Sequence, residues 1–248
     1  MIIALTGAGG KTTLGRQMAV ELSRMGCRTL FTTTTKIYPP EDGSVYIGPA
    51  ISVPEDGLFI TAAKAALPNG KLQGYTPHEI ETLTPLFDHI IVEADGAAGK
   101  AVKAPNDAEP VYPLLTDIVI GVIGLDCLGK PITDEFVHRA PLFADITESQ
   151  CGDIITAQHI IRLIRHPYGL FRGAPPKAEE IVFLNKYDTL VSINKDGVTV
   201  VTQNSSVPVL LTSRETNWFP DFCTAYVKND KKMNDKLVDS FAGSEFEN

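Results

Sequence analysis

The chain has 248 residues, which is enough for one large α/β domain with a substantial core. It contains 22 Lys and Arg residues and 30 Asp and Glu residues, which gives a net charge of −8. This charge argues against broad binding to nucleic acid or to an anionic membrane, since both need a basic surface. No apolar stretch approaches the roughly 20 residues of a membrane span and no charged leader precedes the first apolar residues, so we expect a cytoplasmic protein.

The first element is predicted to be a buried strand that leads directly into a glycine-rich phosphate loop. The loop reads Thr6-Gly7-Ala8-Gly9-Gly10-Lys11-Thr12-Thr13. Its glycines let the backbone turn and present N–H groups to phosphate oxygens, while Lys11 adds positive charge and the hydroxyl of Thr12 can bind Mg²⁺. We therefore expect residues 7–13 to contact the phosphates of GTP or ATP. The alternative is a tight strand-to-helix turn without a ligand.

The loop departs from the full G-x-x-x-x-G-K-[ST] pattern, which has glycine where this chain has Leu5. It is similar to the K-G-G-V-G-K-T-T loop of ATPases and GTPases related to signal-recognition and metallocentre-assembly proteins, with Thr6 in place of the first lysine. That difference argues against the ATPase branch that uses this extra lysine. Apolar residues at helical spacing follow the loop and predict an amphipathic helix: Leu14, Met18, Leu22 and Met25, before Gly26.

A second strand is predicted over residues 29–37, where β-branched residues precede Pro39 and Pro40. Ligands bind at the carboxyl ends of parallel strands, so this strand supplies candidates to order Mg²⁺, a phosphate or an attacking water: Thr34, Thr35 and Lys36. Alternatively, the threonines are present only because they suit a strand. A helix is expected around residues 61–67, and a capping box at 76–79 predicts another.

Residues 89–96 are predicted to form a buried strand that ends in two carboxylates, Glu93 and Asp95. This pattern resembles a Walker B element. We expect Asp95 to hold the Mg²⁺ shell together with Thr12, and Glu93 to polarise water as the candidate general base. Lys11, Glu93 and Asp95 are thus the predicted catalytic residues. The alternative is that such an acidic residue merely caps a helix.

The segment 96–113 is rich in small residues and proline, which predicts an irregular loop able to respond to nucleotide or to touch a substrate. Its candidate residues are Lys100, Lys103 and Glu109, although a solvated loop with surface lysines is equally open. A strand is predicted over 116–124. Residues 137–139 are expected in a helix, where His138 and Arg139 could meet an anionic ligand, and a further helix is predicted over 156–165.

A strand over 180–184 leads into Asn185-Lys186-Tyr187-Asp188, which matches the N-K-x-D motif of GTP-binding proteins. The aspartate would accept from guanine N1–H and the exocyclic amine, the lysine stem would cover the ring, and the asparagine would brace neighbouring loops. Two charge-assisted bonds of roughly 1.5–3 kcal/mol each would favour guanine over adenine by about 10²–10⁴. A last strand over 207–211 places Ser213 as a further base contact. GTP is favoured, but ATP stays open because the four residues also suit a simple turn.

In combination, these motifs resemble the YqeC family, described as accessory proteins for selenium-dependent molybdenum hydroxylases. The resemblance is carried, over about residues 1–225, by the phosphate loop, residues 32–37, 93–96, 103–105, 109–110 and 137–139, and the motif at 184–188. It implies a cytoplasmic bacterial protein that helps to build or insert a selenium-containing molybdenum cofactor. Its implied partners are a precursor of that cofactor or a molybdenum hydroxylase.

The sequence therefore predicts one P-loop NTPase-like α/β domain over residues 1–225, with three layers and a mostly parallel sheet, followed by a polar helix or tail over 226–248. The predicted function is a Mg²⁺-dependent GTPase or ATPase. Two other classes remain open. One is a nucleotide-regulated binding protein in which bound nucleotide orders residues 96–113. The other is an ATP-dependent small-molecule kinase that binds its acceptor through Lys100, Lys103 and Arg139.

Overall fold

The computed structural model describes residues 1–39, 45–51, 59–190 and 192–213, together with Phe219 and Phe222. The helices are α1 (Lys11–Arg24), α2 (Pro77–Thr82), α3 (Ala140–Ile146), α4 (Ala157–Arg165) and α5 (Ser192–Asn204). The strands are β1 (Ile2–Gly7), β2 (Thr29–Thr33), β3 (Lys36–Ile37), β4 (Val45–Ile47), β5 (Phe59–Ala63), β6 (Ala65–Ala66), β7 (Leu72–Gln73), β8 (His89–Glu93), β9 (Val102–Lys103), β10 (Ile118–Gly124), β11 (Val137–His138), β12 (Glu179–Asn185) and β13 (Val209–Thr212). The predicted segment 226–248 lies outside the described residues.

Eight strands form one central sheet in the order β13-β12-β10-β1-β8-β2-β5-β4, and each pairing along it is parallel. The strand order reverses at β1, because β8 pairs on one side of it and the chain then crosses to β10 on the other. In open parallel sheets, ligands bind at such a reversal, beyond the carboxyl ends of the strands. The loop after β1 lies at that position.

Both faces of the sheet are covered, as the alternation along β12 shows. Phe183 packs in the apolar cluster that contains Leu14 and Met18 of α1. Its neighbours Val182 and Leu184 pack in the opposite cluster, with side chains of α3 and α4. This gives helix, sheet and helix in three layers, which confirms the predicted α/β architecture with its mostly parallel sheet.

Several predicted elements are confirmed with small shifts in their ends. They are α1, α2, α4, β1, β8, β10, β12 and β13. The predicted capping box at α2 is also present, since the hydroxyl of Thr76 accepts from the backbone of Glu79 and the Glu79 carboxylate accepts from the backbone of Thr76. These segments carry continuous local patterns, which explains why sequence alone located them.

The helix predicted around residues 61–67 is wrong, because these residues form β5 and β6. Alanine favours a helix in isolation, but β5 pairs with β2 and buries Ala62 and Ala63 against the sheet. Tertiary pairing outweighs the local preference.

The strand predicted over residues 29–37 is wrong at its second half. The main sheet keeps only β2, and the chain bends at Thr34 and Thr35 before β3 joins a separate antiparallel sheet with β7 and β6. The amide of Thr34 donates to the carbonyl of Glu93, and the amide of Gly74 donates to the carbonyl of Thr35. The first bond extends the pairing with β8 by one residue, and the second joins Thr35 to the residue that follows β7.

The helix predicted over residues 137–139 is also wrong. Val137 and His138 form β11, which pairs in parallel with β9 inside the 96–113 segment. Arg139 adopts a left-handed conformation with φ 67°, and α3 begins only after it. A left-handed residue cannot continue a helix, so the chain turns here.

The pKa of Glu79 is lowered to about 2, because Lys64 and the backbone of Thr76 bond to its carboxylate. Such a group adds stability above its unfolded pKa of about 4.3 and loses it as the pH falls through the folded value. Its side chain is 35% exposed, so solvent screening keeps the effect small.

We therefore expect Glu79→Gln to lower the free energy of unfolding by about 1 kcal/mol at neutral pH, with a difference from the parent that shrinks between about pH 5 and pH 2. Urea unfolding across this range measures it. Glu135→Gln, at an exposed position, is the control. A difference that does not change with pH contradicts the assignment.

Among the described residues, no helix is both long enough and apolar enough to cross a bilayer.

Candidate functional site

The phosphate loop leaves β1 through a run of left-handed glycines. Gly7, Gly9 and Gly10 have φ of 90°, 90° and 119°. At Gly9 a Cβ atom would lie 2.2 Å from the backbone nitrogen of Gly124, so the loop packs directly on the end of β10. Only glycine satisfies both the backbone angle and this close approach.

The first three amides of the loop are used within the protein. Gly7 donates to the Asp95 carboxylate at 3.0 Å, Ala8 to the carbonyl of Val122 at 2.8 Å, and Gly9 to the carbonyl of Lys100 at 3.0 Å. The amides that follow begin α1, where no side-chain cap is present and the first N–H groups lack intrahelical acceptors. In this conformation no described residue accepts from the amides of residues 10–13, so these four, rather than all seven predicted residues, offer donors to an anion.

Lys11 lies at the first turn of α1 with its ammonium turned into the protein. Its side chain is 3% exposed, and its Nζ donates to the carbonyl of Gly7 at 2.6 Å. The same atom lies 3.1 Å from Oδ1 of Asp95 and 3.7 Å from Oε1 of Glu93. Burial works to lower the pKa of Lys11, but the carboxylates of Asp95 and Glu93 outweigh it and raise the pKa. The structure therefore brings together the three residues predicted to be catalytic, and their catalytic role stays a prediction.

The two carboxylates have different surroundings. Glu93 accepts the hydroxyl of Thr12 at 2.7 Å, and burial is the main reason that its pKa is raised. Asp95 accepts the Thr6 hydroxyl at 2.9 Å and pairs with Lys11 and Lys103. Burial works to raise the pKa of Asp95, but these two lysines hold it below its usual range. Asp95 was predicted to hold the metal together with Thr12. In the structure the hydroxyl of Thr12 bonds to Glu93 instead.

The N-K-x-D motif lies at the same edge of the sheet as the phosphate loop. Nδ2 of Asn185 donates to the carbonyl of Gly9 at 2.8 Å, across 176 positions of the sequence. Oδ1 of Asn185 accepts the hydroxyl of Thr212 at 2.7 Å. The asparagine therefore joins the ends of β1, β12 and β13, which is the bracing role predicted for it.

Lys186 and Asp188 are the other two residues of the motif that would contact the base. Asp188 is exposed, and its carboxylate bonds to no other residue in the described part of the chain. Lys186 has a left-handed backbone with φ 65°, and its Nζ pairs with Oδ2 of Asp126 at 2.6 Å. Ser213 is half-buried directly after β13. This arrangement leaves the carboxylate of Asp188 available to an external donor.

Two residues of this edge, Asp126 and Thr212, were not predicted as site residues. Asp126 follows β10, and Thr212 ends β13, on either side of β12. Polar residues at the carboxyl ends of neighbouring parallel strands share one edge of the sheet. That rule could have found both residues, because each lies at the carboxyl end of a strand that the sequence predicts.

Lys103 and Glu109 are buried more deeply than a solvated loop would place them. The Lys103 side chain is fully buried and contacts Asp95 and Glu109 at 2.9 and 3.2 Å. Arg139 donates to the same Glu109 oxygen at 2.8 Å and to the carbonyl of Ala104. Burial works to raise the pKa of Glu109, but Arg139 and Lys103 hold it low. The alternative of two surface lysines is therefore wrong for Lys103.

The other candidate side chains lie at the periphery of this cluster. The hydroxyl of Thr34 donates to the carbonyl of Val111, and Thr35 contacts the Thr33 hydroxyl. Lys36 is exposed on β3, and Lys100 donates outward to the carbonyl of Glu135. His138 is half-buried on β11, where burial and the neighbouring Arg139 lower its pKa.

No group of three or more His, Cys, Asp or Glu side chains that could bind a metal is present in the described ranges. The hydroxyl of Thr12 and the carboxylate of Glu93 are nevertheless hard oxygen ligands of the type that Mg²⁺ prefers. Because Mg²⁺ is usually held by one or two protein oxygens together with substrate phosphates, these residues fit a metal that arrives with a nucleotide.

Comparison with known proteins identifies a family. A family model described as YqeC protein matches residues 3–141, which include the phosphate loop, both carboxylates, Lys103 and Arg139. The chain is also 35% identical, over 197 residues, to a protein of Escherichia coli (strain K12) that is named uncharacterized protein YqeC. The matched region covers 75% of this chain and 76% of that relative.

Proposed function

The chain belongs to the YqeC family, and we propose that it binds Mg²⁺-GTP at the carboxyl edge of its sheet and hydrolyses it. One observation carries this proposal. The bond between Asn185 and Gly9 joins a phosphate-binding motif and a guanine-binding motif that lie 176 positions apart in the chain. Each motif is weak evidence by itself, but a nucleotide needs both at one edge of a sheet, with its phosphates on one and its base on the other.

The phosphate end of the proposed site consists of the amides of residues 10–13 and the ammonium of Lys11. These groups lie at the N-terminus of a 14-residue helix, where the helix dipole also favours an anion. Thr12 and Glu93 would hold Mg²⁺ with the β- and γ-phosphate oxygens, and the ion would neutralise charge that develops on these oxygens. Glu93 replaces Asp95 in this role because its carboxylate, not that of Asp95, contacts the Thr12 hydroxyl.

The base end consists of Asn185, Lys186 and Asp188. The exposed Asp188 carboxylate is free to accept from guanine, and adenine presents no matching pair of donors. GTP is therefore the preferred nucleotide in this proposal, and ATP is the alternative.

The metal assignment is tested by nucleotide binding with excess Mg²⁺ and with EDTA. We expect Mg²⁺ to strengthen GTP binding by the parent at least about tenfold, and this gain to fall to about threefold or less in Thr12→Ala and Glu93→Gln. Thr13→Ala, at the exposed next position, is the matched control. An equal gain in all four proteins would remove Thr12 and Glu93 from the metal site.

A second candidate function is a nucleotide-regulated binding protein. It is favoured by the contacts of the 96–113 segment, because the carbonyls of Lys100 and Ala101 accept from the amides of Gly9 and Gly124. A ligand at the phosphate loop would thus act on a segment that faces it directly. The rate of GTP hydrolysis, measured with and without a partner protein, separates the two functions.

The kinase alternative has less support. Its three acceptor-binding cations already donate to protein oxygens: Lys100 to Glu135, Lys103 to Asp95 and Glu109, and Arg139 to Glu109. Lys103 therefore has no donor left for an acceptor and Arg139 is already paired with Glu109, while Lys100 makes, among the described residues, a single bond to a backbone carbonyl.

The family resemblance extends the proposal to a biological role. We propose that the protein acts in the cytoplasm and couples the nucleotide to maturation of a selenium-containing molybdenum hydroxylase cofactor. Its partner would be a precursor of that cofactor or the hydroxylase itself.

A further inference from the structure

Lys103 is a fully buried lysine whose ammonium has no donor left for a ligand. An ammonium group has three N–H donors. Those of Lys103 face the carbonyl of Gly96 at 2.7 Å, Oδ2 of Asp95 at 2.9 Å and Oε2 of Glu109 at 3.2 Å. With its side chain 0% exposed, Lys103 does not touch a nucleotide, so its charge must serve the protein itself.

Asp95 is shared between two lysines. Lys11 lies 3.1 Å from its Oδ1, and Lys103 lies 2.9 Å from its Oδ2. The Asp95 carboxylate is itself 0% exposed, so bulk water does not solvate it. A buried carboxylate that loses all its cations is strongly unfavourable.

Lys11 has to leave these carboxylates in order to bind phosphate. At present its ammonium faces Asp95, Glu93 and the carbonyl of Gly7. When it turns to a triphosphate, Glu93 gains the Mg²⁺ that accompanies the nucleotide, but Asp95 gains nothing from the ligand. Of the cations that the described part of the chain places on Asp95, Lys103 alone then remains to balance its charge.

We propose that Lys103 is a positioning residue that stays on Asp95 as its counter-ion and so allows Lys11 to exchange its carboxylate partners for nucleotide phosphates. The inference rests on the proposed nucleotide site and names a residue that regulates its use. Lys103 acts through Asp95 and Lys11 and makes no contact with the ligand.

Lys103 is also held by contacts that do not involve the phosphate loop. It belongs to β9, where Val102 pairs with Val137 and Lys103 pairs with His138. Both valines are fully buried in the apolar cluster of this face. Glu109, the second carboxylate on Lys103, is fixed in turn by Arg139. The cation is therefore anchored while Lys11 moves.

The test is a binding titration with tripolyphosphate in EDTA, a probe without base or metal. We expect Lys103→Gln to bind it at least about tenfold more weakly than the parent, because Lys11 stays on the uncompensated Asp95. In the double variant Asp95→Asn/Lys103→Gln, residue 95 carries no charge that could hold Lys11 back. The affinity of the double variant for tripolyphosphate is therefore expected to lie within about threefold of that of Asp95→Asn. Lys177→Gln, at an exposed lysine near the start of β1, is the control.

Rescue by the double variant separates the proposed role from a general loss of packing, which a second substitution would not restore. If Lys103→Gln does not fold, the affinities of Asp95→Asn and the double variant still show whether Lys103 acts through Asp95. A double variant that binds at least about tenfold more weakly than Asp95→Asn overturns the inference, because Lys103 would then act on the ligand or on the fold rather than through Asp95.

The outcomes also separate this inference from the proposed function. If the parent binds tripolyphosphate, Lys11→Ala abolishes binding and Lys103→Gln matches the parent, the inference fails and the nucleotide site stands. If the parent binds neither tripolyphosphate nor GTP, both fail.

Discussion

Replacement of Lys11 by alanine is expected to weaken the binding of Mg²⁺-GTP by at least about 100-fold. In the proposed complex its ammonium makes charge-assisted bonds to the β- and γ-phosphates, and each such bond is worth about 1.5–3 kcal/mol. Lys11 is the first residue of α1, so its side chain starts next to the amides of residues 10–13 and its ammonium can reach the same phosphates once it leaves the carboxylates. Equilibrium titration with a fluorescent GTP analogue measures the loss.

The same substitution affects the fold, and the two effects must be separated. Lys11 is 3% exposed and pairs with two buried carboxylates, so its removal also lowers the free energy of unfolding. Lys103 still pairs with Asp95 in this variant, so we expect the domain to fold. Thermal unfolding should therefore accompany each titration, with Lys177→Ala as the control. A folded Lys11→Ala protein with parental GTP affinity would remove the phosphate-loop assignment.

Asp188→Asn is expected to reverse the choice of base. We expect the parent to prefer GTP over ATP by about 10²–10⁴, because guanine offers two donors to the Asp188 carboxylate and adenine offers none. In Asp188→Asn the amide presents a donor where the carboxylate presented an acceptor. The variant should lose most of its GTP affinity and gain affinity for XTP, whose 2-oxo group accepts that donor.

Competition of GTP, ATP and XTP for one labelled nucleotide measures this preference. Asp196→Asn is the matched control, since Asp196 is exposed on α5 and is not part of the motif. Equal affinity of the parent for GTP and ATP, together with no change in Asp188→Asn, would show that the guanine interpretation is wrong and that the motif is only a turn.

Sequence alone located the parts of the site that are continuous in the chain. The phosphate loop, the strand that ends at Glu93 and the turn at Asn185 each combine a local apolar pattern with chemically specific residues. Because parallel strands end at a common edge, even their convergence was predictable once each was assigned to a strand. The bond from Asn185 to Gly9 is the contact expected from that logic.

The parts that sequence could not provide depend on pairings between distant segments. Lys103 looks like a surface lysine in a proline-rich loop, and it is buried only because β9 pairs with β11 after a separation of more than thirty positions. The same pairing made the helix predicted at 137–139 wrong. The choice between Glu93 and Asp95 as the partner of Thr12 likewise depends on side-chain directions beyond the end of β8, which alternation along a strand does not specify.

The central claim is that one nucleotide spans the edge of the sheet from Lys11 to Asp188. A crystal structure with Mg²⁺ and a non-hydrolysable GTP analogue tests it most directly. The account predicts the triphosphate on the amides of residues 10–13, Mg²⁺ beside Thr12 and Glu93, guanine against Asp188, and Lys103 still on Asp95. A nucleotide bound elsewhere, or a base that points away from Asn185 and Asp188, would contradict it.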